Sequence, residues 1–276
     1  MSTESSFQFR RAEIIVLVIV LVLLAALLIP AIFAAREAGR RIECEHHLRS
    51  LSLGVLNYTD TFRHFPSGTV GSRELSPAQR FSWYLPLWVF IEGKPPKLLV
   101  DTNQAWDAEV NRSPQLRHVV DWDQPTEHTV DHPLPYLPWF SCPSASRNLR
   151  VQGIQVTQYV GMAGLGINAP ELAIGDVGVG IWGYDRQVAV AGITDGTVHT
   201  MLFVETVRDL GPWLAGGPPT VRGLDPAAIP LVGARGQFGG IHSTIPAAMA
   251  DASVRQLDPA INDSVFSALT TIAGGE

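Results

Sequence analysis

Hydrophobic and polar positions follow three rhythms along this chain. From Ile14 to Ala35 no residue is charged, and nearly all are Ile, Val, Leu or Ala. At about 1.5 Å per residue such a helix spans roughly 30 Å, the thickness of a hydrocarbon core. Lipid offers the backbone no hydrogen-bond partner, so the stretch predicts a transmembrane helix. A core helix rarely stays apolar on every side for so long. The apolar region of a cleaved secretory signal is shorter, about 7–15 residues. The second rhythm starts beyond Ala35. Cys44, Leu48, Leu51, Val55 and Tyr58 recur at alternating spacings of four and three, which is one helix face. Arg36, Glu37, Arg40, Arg41, Glu43 and Glu45 supply the wet surface. Together the two rhythms predict one helix from near Glu13 to near Thr59, lipid-facing first and amphipathic afterwards. Pro30 removes a hydrogen bond inside it and is expected to kink it.

The third rhythm is short and broken. Pro66, Gly68, Gly71 and Pro77 mark a loop between Phe62 and Pro77. Phe81 to Ile91 reads as a short helix or a strand pair, and the acidic tract from Asp101 to Asp131 as a surface wrap. From Val151 onward, Gln155–Val160, Val188–Ile193 and His199–Val207 alternate with Gly-bearing turns such as Asp195-Gly196, predicting antiparallel strands. A strand including Ala247 to Val254 precedes a tail with helical spacing at Ile261, Val265, Ala268, Leu269 and Ile272. The predicted class is α+β, a long N-terminal helix whose second half packs on a mostly antiparallel sheet. The expected organisation is a short cytoplasmic N-terminus or leader over 1–13, a membrane span over 14–35 and an extracytoplasmic head over 36–276. Arginines flank the span on both sides, so the orientation rests on a long head crossing largely regardless of charge.

Composition excludes several function classes. With 46% hydrophobic and 17% charged residues the chain is not of the disordered type. A net charge of −6 leaves no broad basic face for nucleic acid. Two cysteines make neither a disulfide-dense scaffold nor a four-cysteine zinc site. No Gly-x-Ser-x-Gly elbow, His-Glu-x-x-His helix or Walker loop occurs. Gly178 to Gly183 spells Gly-x-Gly-x-x-Gly, yet a strand-like run follows it where a dinucleotide site needs a helix. Glu127 to His132 could supply metal ligands through His128, Asp131 and His132, but no second half accompanies it, so surface polarity is the expectation. The acidic tract lacks EF-hand spacing. No catalytic residue, metal or cofactor is therefore expected, and His46 and His47 are placed on the wet side of the helix. Trp83, Trp88, Trp139, Trp182 and Trp213 suggest an alternative, a tethered module binding a glycan or small solute on aromatic loops. Tryptophan is equally ordinary core material.

A helix half in the membrane and half under a globular head resembles that of type IV prepilins and pseudopilins. Counting back from Pro30 sets Phe9 at the first position of the mature pilin pattern and Glu13 at the fifth. The stretch from Leu27 to Arg41 is similar to a prepilin-like family abundant in planctomycetes, whose function is not established. Phe65-Pro66-Ser67-Gly68, Ser82-Trp83, Ser141-Cys142-Pro143-Ser144, Tyr159-Val160-Gly161, Asp195-Gly196-Thr197 with Glu205-Thr206, and His242 to Asp251 resemble its motifs in order. Four features depart from the pattern. Gln8 stands where processed prepilins have Gly, Arg10 and Arg11 follow Phe9, His242 to Asp251 encloses eight residues where the family's closing His-x9-Asp-Gly signature has nine, and Ala252 replaces Gly after Asp251.

The resemblance implies a processing point at Gln8–Phe9 and an assembly role for Glu13, which could instead pair with Arg10 three residues earlier. It implies that His242 and Asp251 form a C-terminal signature, either recognised by a partner or capping a hairpin. It further implies a single-pass protein of the inner membrane with its head on the periplasmic side. The expected partners are the membrane and homologous pilin-like subunits or secretion machinery. The expected role is structural, in a type IV pilus-like or type II secretion-like system, without catalysis. That location would permit a disulfide between Cys44 and Cys142, the alternative being two buried thiols.

Overall fold

The structure, a computed structural model, describes residues 11–93, 100–112, 137–145 and 149–274. Helix α1 (Arg11–Phe62) continues through Pro30. The chain divides into two units inside this helix, Met1–Ile42 and Glu43–Glu276. The division falls beyond the expected end of the membrane span at Ala35.

In the first unit every residue from Glu13 to Arg36 is exposed, including the whole apolar run from Ile14 to Phe33. No side of this stretch is reserved for a protein core, as its all-round apolar composition dictates. Arg40 and Glu37 close an ion pair at 2.6 Å near the end of the unit.

The second unit is an α+β fold, and its share of α1 follows the predicted stripe. Cys44, Leu48, Leu51 and Val55 are all fully buried. Ser52 and Thr59 are also buried, and each hydroxyl donates back to the carbonyl four residues earlier at 2.8 Å. His46 is exposed, but His47 is not on the wet side. It lies one position before Leu48, is buried, and its Nδ1 is 3.1 Å from the Ser141 carbonyl oxygen.

Strands β1 (Thr69–Val70) and β2 (Phe81–Ser82) form a small antiparallel pair within and after the predicted loop. Helix α2 (Tyr84–Glu92) resolves the ambiguity at Phe81–Ile91. Pro86 sits in its first turn, where amides have no intrahelical partner to lose. Gly93 ends it at φ 70° with its amide on the Val89 carbonyl. Of the acidic tract, Asp101 to Arg112 is described and includes α3 (Glu109–Arg112).

The second two-stranded pair is β3 (Arg150–Val151) with β4 (Ile154–Gln155). The main sheet holds β5 (Tyr159–Leu165), β6 (Met201–Glu205), β7 (Val221–Leu224), β8 (Ile245–Met249) and β9 (Val254–Leu257) in the order β7-β5-β6-β8-β9. All pairings are antiparallel except β5 with β7. The sheet is thus mostly antiparallel, as expected, with one parallel edge. Val188–Ile193 is not a strand. Its amides turn inward on the preceding carbonyls in a 3₁₀ turn at Val190–Gly192. The run Ala247 to Val254 spans the turn between β8 and β9, and the helical tail is confined to α4 (Asp263–Ala268), capped by Asn262.

The sheet is buried on both faces. One face gives Tyr159, Ala163, Phe203 and Ala248 to a core shared with the α1 stripe and with Trp83, Trp182 and Trp213. The other gives Val160, Met162, Val204 and Met249 to a core closed by Leu231, Phe238 and Phe266 of the C-terminal half. Gly161 is required by the first core, since a Cβ there would lie 2.6 Å from Trp182 Cγ. Four of the five tryptophans offered as a binding surface are core instead: Trp83, Trp182 and Trp213 are fully buried and Trp88 nearly so, while Trp139 is half-buried against the same core. Gly178 to Gly183 lies beside β5, the Gly180 amide on Ala163 and the Trp182 amide on Met162, and no helix follows it.

Candidate functional site

Four buried side chains, distant in sequence, meet where the α1 stripe faces the sheet. Cys44 is the first buried position of the stripe. Cys142 follows the 3₁₀ turn Pro138–Phe140, in a segment pinned from several directions. The Cys142 amide donates to Gln158 Oε1 at 3.2 Å, and Gln155 donates to Ser141 Oγ at 2.6 Å. Glu205 ends β6, directly opposite Tyr159 of β5. Opposed residues of an antiparallel pair project to the same face. His242 comes from the loop before β8, after Gly239 and Gly240, both at positive φ.

The contacts are close. Cys44 Sγ lies 3.0 Å from Tyr159 Oη and donates to Glu205 Oε2 at 3.3 Å. Cys142 Sγ is 3.0 Å from His242 Nε2, and His242 Nε2 is 3.9 Å from Glu205 Oε2. The side chains of Glu205 and His242 have no exposed surface. One atom each from Cys44, Cys142, Glu205 and His242 lie within 4.8 Å of one another. Both cysteines are free thiols. The structure thus places Cys44 and Cys142 in one cluster without a disulfide between them.

The hydrogen bond between the two thiols and their burial set the protonation. The hydrogen bond to Cys142, burial and the nearby Glu205 all push the Cys44 thiol up, so it keeps its proton. The same hydrogen bond, received by Cys142, outweighs burial there. With help from the Ser144 amide and His242 it brings Cys142 down to about 6. Burial first, then the neighbouring Cys142 sulfur, raises Glu205 to about 8. Burial raises Tyr159 as well. Glu205 Oε1 is buried without a hydrogen-bond partner, an arrangement that costs about 1–3 kcal/mol or more for a charged group. Two soft sulfurs, an imidazole and a carboxylate form a donor set suited to a divalent metal of the zinc type.

The other predicted positions fall elsewhere. Gln8, Phe9 and Arg10 lie outside the described residues, as do His128, Asp131 and His132. Glu13 lies on α1 close to its first described residue and is exposed. Asp251 does not join His242. It sits in the β8–β9 turn, its Oδ1 accepting from the Ser253 amide at 2.9 Å and the Ser253 hydroxyl at 2.6 Å. Ala252 beside it is at φ 64°, in the left-handed region where the resembling family has glycine. Asp101 Oδ1 is likewise engaged in a turn, by the Asn103 amide at 2.9 Å.

The sequence marks Cys44, Cys142 and His242 as candidates for other reasons, and Glu205 only as part of the motif Glu205-Thr206, with no role attached. The available signal was an acid at the end of the apolar run Met201–Val204, in step with the inward-facing Phe203. A second concavity, about 470 Å³, is lined by Tyr184, Arg208, Asp209, Arg222 and Arg235 among others. Arg222 pairs with Asp209 at 3.6 Å, and burial lowers its guanidinium to about 10.

Among the described residues one helix is long and apolar enough to cross a membrane. The build is that of a single-pass anchored protein, one helix made for lipid and one folded α+β unit. The chain belongs to the family described as a protein of unknown function, DUF1559, whose model matches residues 33–223. The matched stretch takes in Cys44, Cys142 and Glu205 and stops short of His242. No curated protein and no solved structure matches the chain.

Proposed function

We propose that this protein is a pilin-like subunit of the inner membrane, anchored by α1, with its head on the periplasmic side and a structural, non-catalytic role in assembly or secretion. The observation that carries the reading is the exposure of the whole run from Ile14 to Phe33, against the buried stripe the same helix supplies from Cys44 onward. A large continuous apolar surface marks a lipid or protein contact. In lipid, helix association rests on packing and on satisfied polar groups, and Glu13 is the polar group at the edge of this one. Homologous subunits or secretion machinery are the partners of such a helix.

Photo-crosslinking from Val18, Leu21 or Leu24 in native membranes tests this. A ladder of chain multimers, lost on Glu13→Ala, is expected. A head that pellets with membranes but never crosslinks to another subunit would leave a tethered head domain in place of an assembly subunit. Mass and N-terminal sequence of the recovered chain report separately whether processing occurs before Phe9.

A second reading is a tethered module for a small anionic solute, favoured by the Arg222 cleft. Its Nε and Nη2 are buried without hydrogen-bond partners. A thermal shift with small dicarboxylates, lost on Arg222→Met, would support it, and no shift would remove it.

A further inference from the structure

We propose that Cys44, Cys142, Glu205 and His242 together bind one zinc-type divalent cation, which fastens the head-side part of α1 to the sheet. This does not depend on whether the protein assembles.

The donor chemistry comes first. Two thiolates, an imidazole nitrogen and a carboxylate oxygen are the ligand types of closed, four-coordinate zinc sites. Hard cations such as calcium or magnesium would instead seek six or more oxygens. The spacing is compatible. Bonds of roughly 2.0–2.3 Å in a tetrahedron place neighbouring ligand atoms roughly 3.3–3.8 Å apart. Cys142 Sγ to His242 Nε2, Cys44 Sγ to Glu205 Oε2 and His242 Nε2 to Glu205 Oε2 are 3.0, 3.3 and 3.9 Å apart, which brackets that range, and all four atoms lie within 4.8 Å. Side-chain adjustments of up to about 1 Å bring all four atoms to tetrahedral spacing.

A second observation points the same way. Glu205 has no exposed side-chain surface, and its Oε1 is buried with no hydrogen-bond partner. A buried carboxylate beside two sulfurs is an expensive arrangement with no packing advantage over Leu or Met. A bound dication turns that cost into attraction. The thiols and the carboxyl give up their protons to solvent on binding, so a 2+ ion among three anionic ligands leaves a net charge of −1. The surroundings are built for it. Tyr159 can donate to the Cys44 sulfur from 3.0 Å, and the Ser144 amide supports the Cys142 thiolate. Such outer contacts orient ligands and raise affinity.

The four ligands come from four parts of the chain, so the free energy of binding is also free energy of folding. A disulfide would join only two of these parts and leave Glu205 and His242 facing each other without a cation.

The test uses the full chain in detergent, purified anaerobically. Metal analysis of the wild-type protein should find close to one zinc per chain. Chelator-treated protein titrated with cobalt(II) should show thiolate-to-cobalt charge transfer and the intense d–d bands of a tetrahedral site, saturating at one equivalent. Glu205→Gln and His242→Ala should each weaken cobalt binding by at least about tenfold. Cys142→Ser should lose about half the charge-transfer intensity. Three results would overturn the proposal. One is wild-type protein with both thiols free and no uptake at one equivalent. Another is a linked Cys44/Cys142 peptide in the anaerobically isolated chain. The third is cobalt binding by Glu205→Gln as tight as wild type, which would place the metal elsewhere. If a variant fails to fold, the wild-type metal content and thiol count still decide the matter.

Discussion

Two stretches of the same helix, Ile14–Phe33 and Cys44–Tyr58, share a backbone conformation and differ in what surrounds them. The first is exposed along its length, and the second buries Cys44, Leu48, Leu51 and Val55 completely and Tyr58 in part. Periodicity sets the difference. Without a polar face there is no preferred direction for a protein core, so the first stretch is suited to a uniform apolar solvent. Spacings of four and three in the second aim Cys44, Leu48, Leu51 and Val55 the same way, and the charged residues between them stay wet. Helix propensity says nothing about this, whereas the pattern does.

The contrast can be broken most severely by moving a charge between its halves. Leu51→Asp puts a carboxylate into the closed core, and loss of the folded head is expected, a cost of about 4–5 kcal/mol or more. Leu21→Asp should leave the thermal transition of the head unchanged. It should instead weaken membrane retention, by about 2.5–3.5 kcal/mol of insertion free energy. Circular dichroism melts and carbonate extraction distinguish the two. If both variants lowered the melting temperature alike, the separation of the two stretches would be wrong.

A smaller effect is expected on the sheet that receives the stripe. Gly161→Ala drives a methyl group against Trp182 and should cost about 1–3 kcal/mol by denaturant unfolding. An unchanged midpoint would mean that Trp182 yields freely and is not a fixed wall of the core.

Two turn variants belong to neither stretch and set the floor of the comparison. Asp251→Ala should cost about 1 kcal/mol at neutral pH. Burial disfavours the Asp251 charge, but the Ser253 hydrogen bonds outweigh it and hold the carboxyl below its ordinary value. A depressed folded value means the contribution is present above the unfolded pKa and is lost as pH falls through the folded one. The difference from wild type should therefore shrink in unfolding curves recorded near pH 3. Ala252→Gly should stabilise, by about 0.5–1 kcal/mol, because a Cβ at φ 64° is strained. A loss of stability there would show that glycine's chain entropy outweighs the strain.

Much of the architecture was legible in local pattern. The stripe on α1 and the strand at Met201–Glu205 sit in stretches whose residues declare themselves. Strand β7 was not legible, because Val-Arg-Gly-Leu carries a charge and a glycine in four residues and is held by its parallel partner β5. Val188–Ile193 looked like a strand because Val188, Val190 and Ile193 are β-branched, yet the Gly192 and Ile193 amides found nearer carbonyls. His47 was misplaced by one step of helical rotation. The thiol–carboxylate–imidazole cluster has no spacing motif at all. Cys44, Cys142, Glu205 and His242 are far apart in the chain, and only the fold brings them together. Five tryptophans invited a surface function, but a sheet buried on both faces needs large side chains to fill it, and Trp83, Trp182 and Trp213 supply them.

The contact between Cys44 and Glu205 joins residues 161 positions apart. Synthesis proceeds from the N-terminus at roughly 5–20 residues per second, so the helix waits on the order of ten seconds or more for its strand to exist. During that interval Leu48 and Leu51 have no partner from the sheet, while the apolar run ahead of them is already available to the insertion machinery. The nascent chain thus commits to the membrane before the head has the means to fold. The exposed stripe is then a temporary client surface for whatever chaperone attends the emerging chain.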